Sequence, residues 1–270
     1  QFKSIVTAAG ATEGRAAPLD REASKPETWV SEPGQGQADA INKGLKRASG
    51  EFGAWLNSDD LYRPGAVAAA VAALQAHPEA GLVYGDVESI NAAGHVFNQI
   101  TYQPYTVTDL LAMRIIGQPA VFMRRPALEQ VGYLDESYHY LLDHQLWVRI
   151  ARDWALHYTP EVWAAARIHP AAKNVAQAAG FGLEGYRILE WAQEDDKLAP
   201  IIAANPRRAW GGAHRLHARY LMEGKQYWAA LRAYGKALRD DPLYALKHTH
   251  RMLYAFVFGL LSLFIPQDNI

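Results

Sequence analysis

Gly50-Glu51-Phe52-Gly53-Ala54-Trp55-Leu56-Asn57-Ser58-Asp59-Asp60 is a short apolar run ending in two adjacent carboxylates, and Leu61-Tyr62-Arg63-Pro64 then leads toward a helix. The run predicts a strand that stops at the acids. In open α/β sheets ligands bind beyond the carboxyl ends of strands, so Asp59 and Asp60 stand where a site is expected. Two like charges side by side repel unless a cation neutralises them. Oxygen ligands of this kind suit Mg²⁺ or Mn²⁺, and Mg²⁺ is commonly held by one or two carboxylates together with substrate phosphates. Read alone, the pair is more simply a solvated turn with one Asp capping the next helix.

Upstream, Trp29-Val30-Ser31-Glu32-Pro33-Gly34-Gln35-Gly36-Gln37-Ala38-Asp39-Ala40-Ile41-Asn42-Lys43-Gly44 reads as strand, glycine-rich loop, and a helix entered near Gln37 and running through Ala48. Gly34 and Gly36 allow backbone to approach a ligand closely. A loop of this sort before a helix N-terminus is a ready anion site.

Taken together, Ser31-Glu32-Pro33, Gln35 through Gly44, Ala48-x-Gly50-Glu51 and Trp55 through Asp60 resemble family 2 glycosyltransferases. The resemblance implies an α/β GT-A fold, that is, a Rossmann-like nucleotide-diphospho-sugar transferase domain. It also implies a hexosyltransferase-class enzyme that moves a sugar from a nucleotide-diphosphate donor with inversion of configuration. Asn57-Ser58-Asp59-Asp60 takes the place of the family's Asp-x-Asp-type motif, which holds Mn²⁺ or Mg²⁺ against the donor diphosphate. On that footing Asp60 is the direct metal ligand, with Asp59 beside it. Glu32, Gln35, Gln37, Asp39, Asn42, Asn57 and Asp59 are placed on the donor side.

Later segments fit the same resemblance. Gln118-Pro119-Ala120-Val121-Phe122-Met123-Arg124-Arg125, with Gly132-Tyr133-Leu134-Asp135-Glu136 after it, looks like the strand and turn ahead of the acceptor site. Leu142-Asp143-His144-Gln145-Leu146-Trp147-Val148-Arg149 looks like the segment bearing the catalytic base. Asp143 takes the base position, and Leu142 replaces the acid usual before it. From residue chemistry alone, Asp143 reads first as the cap of a helix whose apolar face is Leu146, Trp147 and Ile150. Gln118 and Trp147 are placed on the acceptor side, as is Asp86, read as the last residue of a strand over 81–86 and alternatively as a turn residue. Ala166-Arg167-Ile168-His169-Pro170-Ala171-Ala172-Lys173-Asn174 resembles the Arg-x-His-x-x-Ser-Lys element that ends the catalytic domain, with Ala172 in place of the Ser. That match makes His169 a metal or diphosphate contact, against the alternative of a structural histidine. Arg167 and Lys173 become phosphate-facing cations.

The beginning departs from the family. Phe2-Lys3-Ser4-Ile5-Val6-Thr7 looks like its first strand, but the chain passes at once to Ala8-Ala9-Gly10-Ala11-Thr12-Glu13-Gly14, which resembles a loop normally reached much later. Ala8 stands where an Asp would read the nucleotide. Losing a central strand would leave buried backbone groups unpaired. The expectation is therefore that the natural chain carries a segment this sequence skips.

Across 270 residues, half are hydrophobic, 20% are charged and the net charge is −1, the profile of a globular α/β domain with an addition. Bulk electrostatics give no reason to expect nucleic acid as a partner. The absence of cysteine removes disulfides, thiolate metal sites and a Cys nucleophile. Residues 1–175 read as the GT-A domain and 176–270 as a helical region. Within that region Tyr227, Ala230, Tyr234, Ala237 and Pro242 follow the second half of a tetratricopeptide unit, which cannot bury both faces alone. Met252 through Ile265 is apolar on nearly every face, follows Lys247-His248-Thr249-His250-Arg251, and is short for a bilayer span. It reads either as a core or dimer-interface helix or as one lying on an anionic membrane surface.

The expected activity is metal-dependent glycosyl transfer to a hydroxyl of a glycan or lipid-linked acceptor, in bacterial surface polysaccharide assembly. The setting is the cytoplasm, with peripheral docking on the inner face of the membrane and homo-oligomerisation as further expectations. The rival readings are a sugar nucleotidyltransferase and an inactive relative serving as an assembly subunit.

Overall fold

The computed structural model describes residues 5–9, 28–32, 35–168 and 178–263. Two compact units emerge. One holds residues through Pro104 together with Ile116–Arg167, and the other holds Tyr105–Ile115 and everything from Ile168 onward.

The first unit is α/β. Strands β1 (Ile5–Ala9) and β2 (Thr28–Glu32) pair in parallel, Ile5 opposite Thr28 and Ala9 opposite Glu32. Helix α1 (Gln37–Arg47) follows, entered through Gly36, whose φ of 132° suits glycine. A six-stranded mixed sheet comes next. Its strands are β3 (Phe52–Gly53), β4 (Leu61–Tyr62), β5 (Ala80–Ile90), β6 (Val96–Ile100), β7 (Val121–Arg124) and β8 (Ala155–Arg167). The order is β3-β7-β5-β8-β4, with β6 on β5. Long β5 runs parallel to β8 and antiparallel to both β7 and β6, and Asn91–Gly94 forms the β5–β6 hairpin turn.

Helix α2 (Ala66–Ala76) lies against this sheet. Its Ala66, Ala70 and Leu74 pack with Val83, Val87, Phe122 and Trp163, small side chains letting the helix sit close. Close approach recurs inside β5, where a Cβ on Gly81 would stand 2.6 Å from Trp154 Cβ. Helices α4 (Arg125–Val131) and α5 (Leu142–Asp153) complete the unit, α5 burying Leu142, Leu146, Trp147 and Ile150.

Three expectations need correcting. The apolar run at 52–58 forms a strand only at Phe52–Gly53, where it pairs with Met123 and Arg124, and 54–57 continue without strand pairing. Gln118–Ala120 is a 3-10 turn, not strand, with Pro119, which has no N–H for a ladder, in its first turn. The strand expected to stop at Asp86 runs on to Ile90, because Val87 to Ile90 pair with β8 and β6.

The second unit is helical: α3 (Val107–Leu111), α6 (Ala178–Gln193), α7 (Ala199–Ala204), α8 (Pro206–Glu223), α9 (Tyr227–Asp240), α10 (Pro242–Ala245) and α11 (Thr249–Leu261). Helices α8 and α9 form a hairpin turning through Gly224–Gln226, with Lys225 at φ 58°. Ala218, Leu221, Tyr227, Ala230, Tyr234 and Ala255 form the core joining this hairpin to α11. No helix among the described residues is long and apolar enough to cross a membrane.

Candidate functional site

The Asp59-Asp60 turn is folded back by backbone, the Asp60 N–H donating to the Asn57 carbonyl at 3.1 Å. That places the side chains of Asn57 and Asp60 together, and Asn57 Nδ2 donates to Asp60 Oδ2 at 3.1 Å. The other carboxylate oxygen, Oδ1, accepts the Arg167 N–H at 3.0 Å from the end of β8. Asp60 is 9% exposed, and burial pushes its carboxyl above the ordinary carboxylate value. The Arg167 N–H and the Asn57 amide oppose that shift by favouring the ionised form. Asp59 is half-buried, and its carbonyl accepts from Arg167 Nε at 3.0 Å.

Asn57 is the hub. Its Oδ1 accepts from Gln37 Nε2 at 3.3 Å, and its Nδ2 also reaches Gln118 Oε1 at 3.3 Å. Gln118 in turn donates to the Trp55 carbonyl at 2.7 Å. The structure thus brings the first turn of α1, the Asp-Asp turn, the 118–120 turn and the end of β8 to one place. Trp55, part of the motif but given no role there, extends this network to α5, stacking on Trp147 at 5.3 Å between centroids and 28° between planes. Asp143 stands four residues before Trp147, on the same face of α5. It lies within the first helical turn rather than at the cap, and its Oδ1 accepts the His144 N–H at 2.7 Å.

Other candidates are held elsewhere. Asp39 Oδ2 accepts from the Gln35 N–H and from Lys43 Nζ, each at 2.9 Å, and these contacts keep its carboxyl below the usual range. Asn42 is buried and exchanges both amide bonds with Leu134, Nδ2 to its carbonyl and its N–H to Oδ1, while also reaching Glu136. Asp86 is buried in β5, accepting the Tyr102 N–H at 3.0 Å and the Tyr158 hydroxyl at 2.8 Å. Tyr102 Oη accepts the Gly117 N–H, so Asp86 supports the turn that carries Gln118. The Arg167 guanidinium, expected to face phosphate, also spans to the carbonyls of Asn91 and Ala92 at 2.9 Å each. The Glu32 side chain, His169 and Lys173 lie outside the described residues.

Residues 10–132, a stretch that includes α1, the Asp-Asp turn and Gln118, match the model of glycosyl transferase family 2. The resemblance carried by the motifs is borne out. O-antigen biosynthesis protein RfbC of Myxococcus xanthus is 32% identical over 114 residues, 42% of this chain and 9% of that protein. An uncharacterized glycosyltransferase of Rickettsia typhi is 27% identical over 144 residues, 50% of this chain and 45% of the other. The matched stretch thus spans less than half the length of these relatives.

Solved structures carry the fold. A mannosyltransferase from Pyrobaculum calidifontis, in complex with GDP-Man and Mn²⁺, is similar at TM-score 0.60 and 18% identity, over 97% of this chain and 78% of that one. Staphylococcus aureus TarS in complex with UDP-GlcNAc is similar at TM-score 0.56 and 14% identity, over 95% of this chain and 79% of that one. The architecture is GT-A with helices in the C-terminal region.

Proposed function

We propose that this protein is an inverting, divalent-cation-dependent glycosyltransferase that moves a sugar from a nucleotide-diphosphate donor to a hydroxyl of a glycan or lipid-linked acceptor. The observation that carries the reading is the continuous contact from Gln37 through Asn57 to Asp60, and from Asn57 through Gln118, Trp55 and Trp147 to the helix of Asp143. The residues we assign to metal and base thus share one connected frame, which supports the reading.

The donor set fits a hard cation. Among the described residues no three His, Cys, Asp or Glu side chains form a preformed cage. Two adjacent carboxylates suit a cation shared with substrate phosphates, the usual habit of Mg²⁺. Asp60 and Asp59 would hold it. When bound, such a cation offsets the negative charge gathering on the departing nucleotide diphosphate.

The protein's own residues do the rest. Asp143 takes the proton of the acceptor hydroxyl as that oxygen attacks the anomeric carbon from the face opposite the diphosphate, which is general-base catalysis. The bond from anomeric carbon to diphosphate oxygen breaks as the new glycosidic bond forms. Gln118 and Trp147 sit toward the acceptor, and Gln37 and Asn57 toward the donor. The setting we favour is surface polysaccharide assembly, supported by the likeness to an O-antigen biosynthesis protein. Peripheral docking of α11 on the inner membrane face completes the reading. Leu253 is 64% and Phe256 47% exposed, and residues 242–263 carry Lys247 and Arg251 without a single acid.

The test is hydrolysis and transfer across a panel of nucleotide sugars with Mn²⁺ or Mg²⁺, comparing the wild type with Asp60→Ala and Asp143→Asn. Metal-dependent donor hydrolysis should vanish in Asp60→Ala. Asp143→Asn should still bind donor and transfer nothing to acceptor. No donor binding by calorimetry anywhere in the panel would overturn the reading in favour of an assembly subunit, and release of pyrophosphate would point to a nucleotidyltransferase.

A further inference from the structure

Beyond the Asp-Asp turn, the helical unit contains a cavity of about 590 Å³, within the range of small-ligand sites. It opens along two helix faces. Trp210, His214 and His217 come from α8 at helical spacing, Arg232 and Lys236 from α9 one turn apart, and Tyr186 from α6. None of these residues belongs to the α/β unit that carries the candidate donor and base groups.

The aromatic wall is fixed in place. Tyr186 lies parallel to Trp210, 6.3 Å between centroids and 22° between planes. Its hydroxyl meets His214 Nδ1 at 2.7 Å, and His214 Nε2 faces Asp240 at 3.4 Å. Burial pushes the Tyr186 phenol up to about 12, so it remains a donor and sets the His214 tautomer. His217 stands at the other side of Tyr186, 5.3 Å between rings. His217 Nδ1 is buried against Gly182 of α6 and hydrogen-bonds no described residue, so the ring meets a ligand through Nε2, and burial holds its pKa below the ordinary imidazole value. Opposite lie Arg232 and Lys236, both exposed and in no ion pair among the described residues.

We propose that this cavity is a second ligand site that takes an acidic saccharide. Sugar rings lie against Tyr186 and Trp210, their hydroxyls meet His217, and a carboxylate or phosphate substituent meets Arg232 and Lys236. Aromatic faces accept the apolar faces of sugar rings, and the two cations supply complementarity to negative charge. The lining carries no glycine-rich loop, and the N-terminus of α9 reaches it only through Gln226 and Ala229, so a nucleotide serves as a separate probe of the site. An acidic peptide would use the cations and leave the neutral imidazole unspent. The site deepens the reading of the protein as a glycan-assembling enzyme, since it would hold the acceptor or growing product away from the reacting hydroxyl.

The experiment is calorimetric titration of the full chain with an oligogalacturonate. A neutral malto-oligosaccharide of equal length, polyglutamate, UMP and inorganic phosphate serve as separate probes. Oligogalacturonate should bind, the neutral oligosaccharide should bind at least about tenfold more weakly, and Arg232→Glu with Lys236→Glu should abolish the difference. Trp210→Ala should weaken oligogalacturonate while leaving whatever polyglutamate binding exists unchanged. Both cations are exposed, so their replacement leaves the core intact, and an unchanged melting temperature verifies it. No oligogalacturonate binding, or equal binding of polyglutamate, UMP or phosphate, overturns the site. Metal-dependent donor hydrolysis measured on the same variants separates the two claims: it should persist in all of them, and its absence from the wild type would count against the catalytic reading alone.

Discussion

Arg167 holds the two acids of the Asp-Asp turn by different atoms: its backbone N–H binds Asp60 Oδ1 and its guanidinium Nε binds the Asp59 carbonyl, each at 3.0 Å. A residue that resemblance assigned to phosphate is thus also a brace of the turn, its backbone holding the Asp60 carboxylate and its side chain the Asp59 carbonyl. The brace matters because Asp60 is buried and its carboxyl titrates above the ordinary value of 3.8, burial being the largest cause.

A pH dependence follows. Only ionised Asp60 can ligate a cation, and in the folded protein ionisation is disfavoured. The acid limb of metal-dependent donor hydrolysis should therefore lie above 3.8. Raising Mn²⁺ should move it to lower pH, because the cation binds the ionised form and pulls the equilibrium toward it. Initial rates against pH at two Mn²⁺ concentrations check this, and a limb indifferent to Mn²⁺ would remove Asp60 from the metal.

Trp55 links the Asp-Asp turn to the helix of the candidate base, so Trp55→Ala should misplace Asp143 more than it disturbs the donor. The expected outcome is kcat lowered by up to about a hundredfold, with donor affinity within about threefold of wild type. Steady-state transfer and donor titration together make the measurement. An equal loss in both would assign Trp55 to general packing.

How much of this was legible in advance depended on range along the chain. The Asp-Asp pair and the helix after Gly36 each declare themselves through neighbouring residues, and the structure has them where local chemistry puts them. The misreadings came where local pattern and pairing part company. Ala54-Trp55-Leu56 is apolar enough for a strand, yet finds no partner strand, and Trp55 faces Trp147 instead. Asp86 looks like a strand end because acids usually mark turns, but Tyr102 and Tyr158 satisfy its carboxylate within the sheet. Asn42 shows a further limit of local reading, since its link to Leu134, 92 residues away, leaves no local trace.

Two glycines in the helical unit should respond oppositely to alanine. A Cβ on Gly212 of α8 would fall 2.1 Å from the Ala112 carbonyl oxygen, so Gly212→Ala should destabilise by about 1–3 kcal/mol through forced separation of these segments. Gly235 of α9 has nothing within 4 Å of such a Cβ, and Gly235→Ala should stabilise by about 0.4–1 kcal/mol through lost unfolded-state freedom. Chemical denaturation of both variants decides it: undiminished stability in Gly212→Ala would show that packing against Ala112 is not tight, and a destabilised Gly235→Ala would show that its position is not open.

His248 should make the protein acid-sensitive. Its folded value is depressed to about 4, first by burial and then by Arg215, Arg251, His250 and Arg219, against 6.5 when unfolded. The unfolded chain therefore takes up the proton first. The contribution to stability is whole above pH 6.5 and is lost as pH falls from 6.5 toward 4. His214 and His217 are shifted in the same direction by burial and add to the slope. Melting temperature measured from pH 7 down to pH 4.5 should decline, and His248→Gln should make the decline shallower. A decline of unchanged steepness would show that His248 titrates normally.

The last expectation concerns α11. Only Ala255 and Gly259 of this helix are buried, while Leu253, Phe256, Val257 and Leu260 stay 40% or more exposed. Apolar surface of that kind tends to mark an interaction site, and the flanking Lys247 and Arg251 favour an anionic one. Sedimentation with phosphatidylserine-containing vesicles should carry the protein down, and pure phosphatidylcholine vesicles should carry much less. Leu253→Asp with Leu260→Asp should abolish binding, since both side chains point away from the hairpin core and their replacement spares the fold. Lys247→Glu with Arg251→Glu should selectively remove the preference for anionic lipid. If the wild type ignores vesicles but the Leu253→Asp, Leu260→Asp variant changes from dimer to monomer in sedimentation velocity, the exposed face belongs to a second copy of the chain and the membrane reading falls.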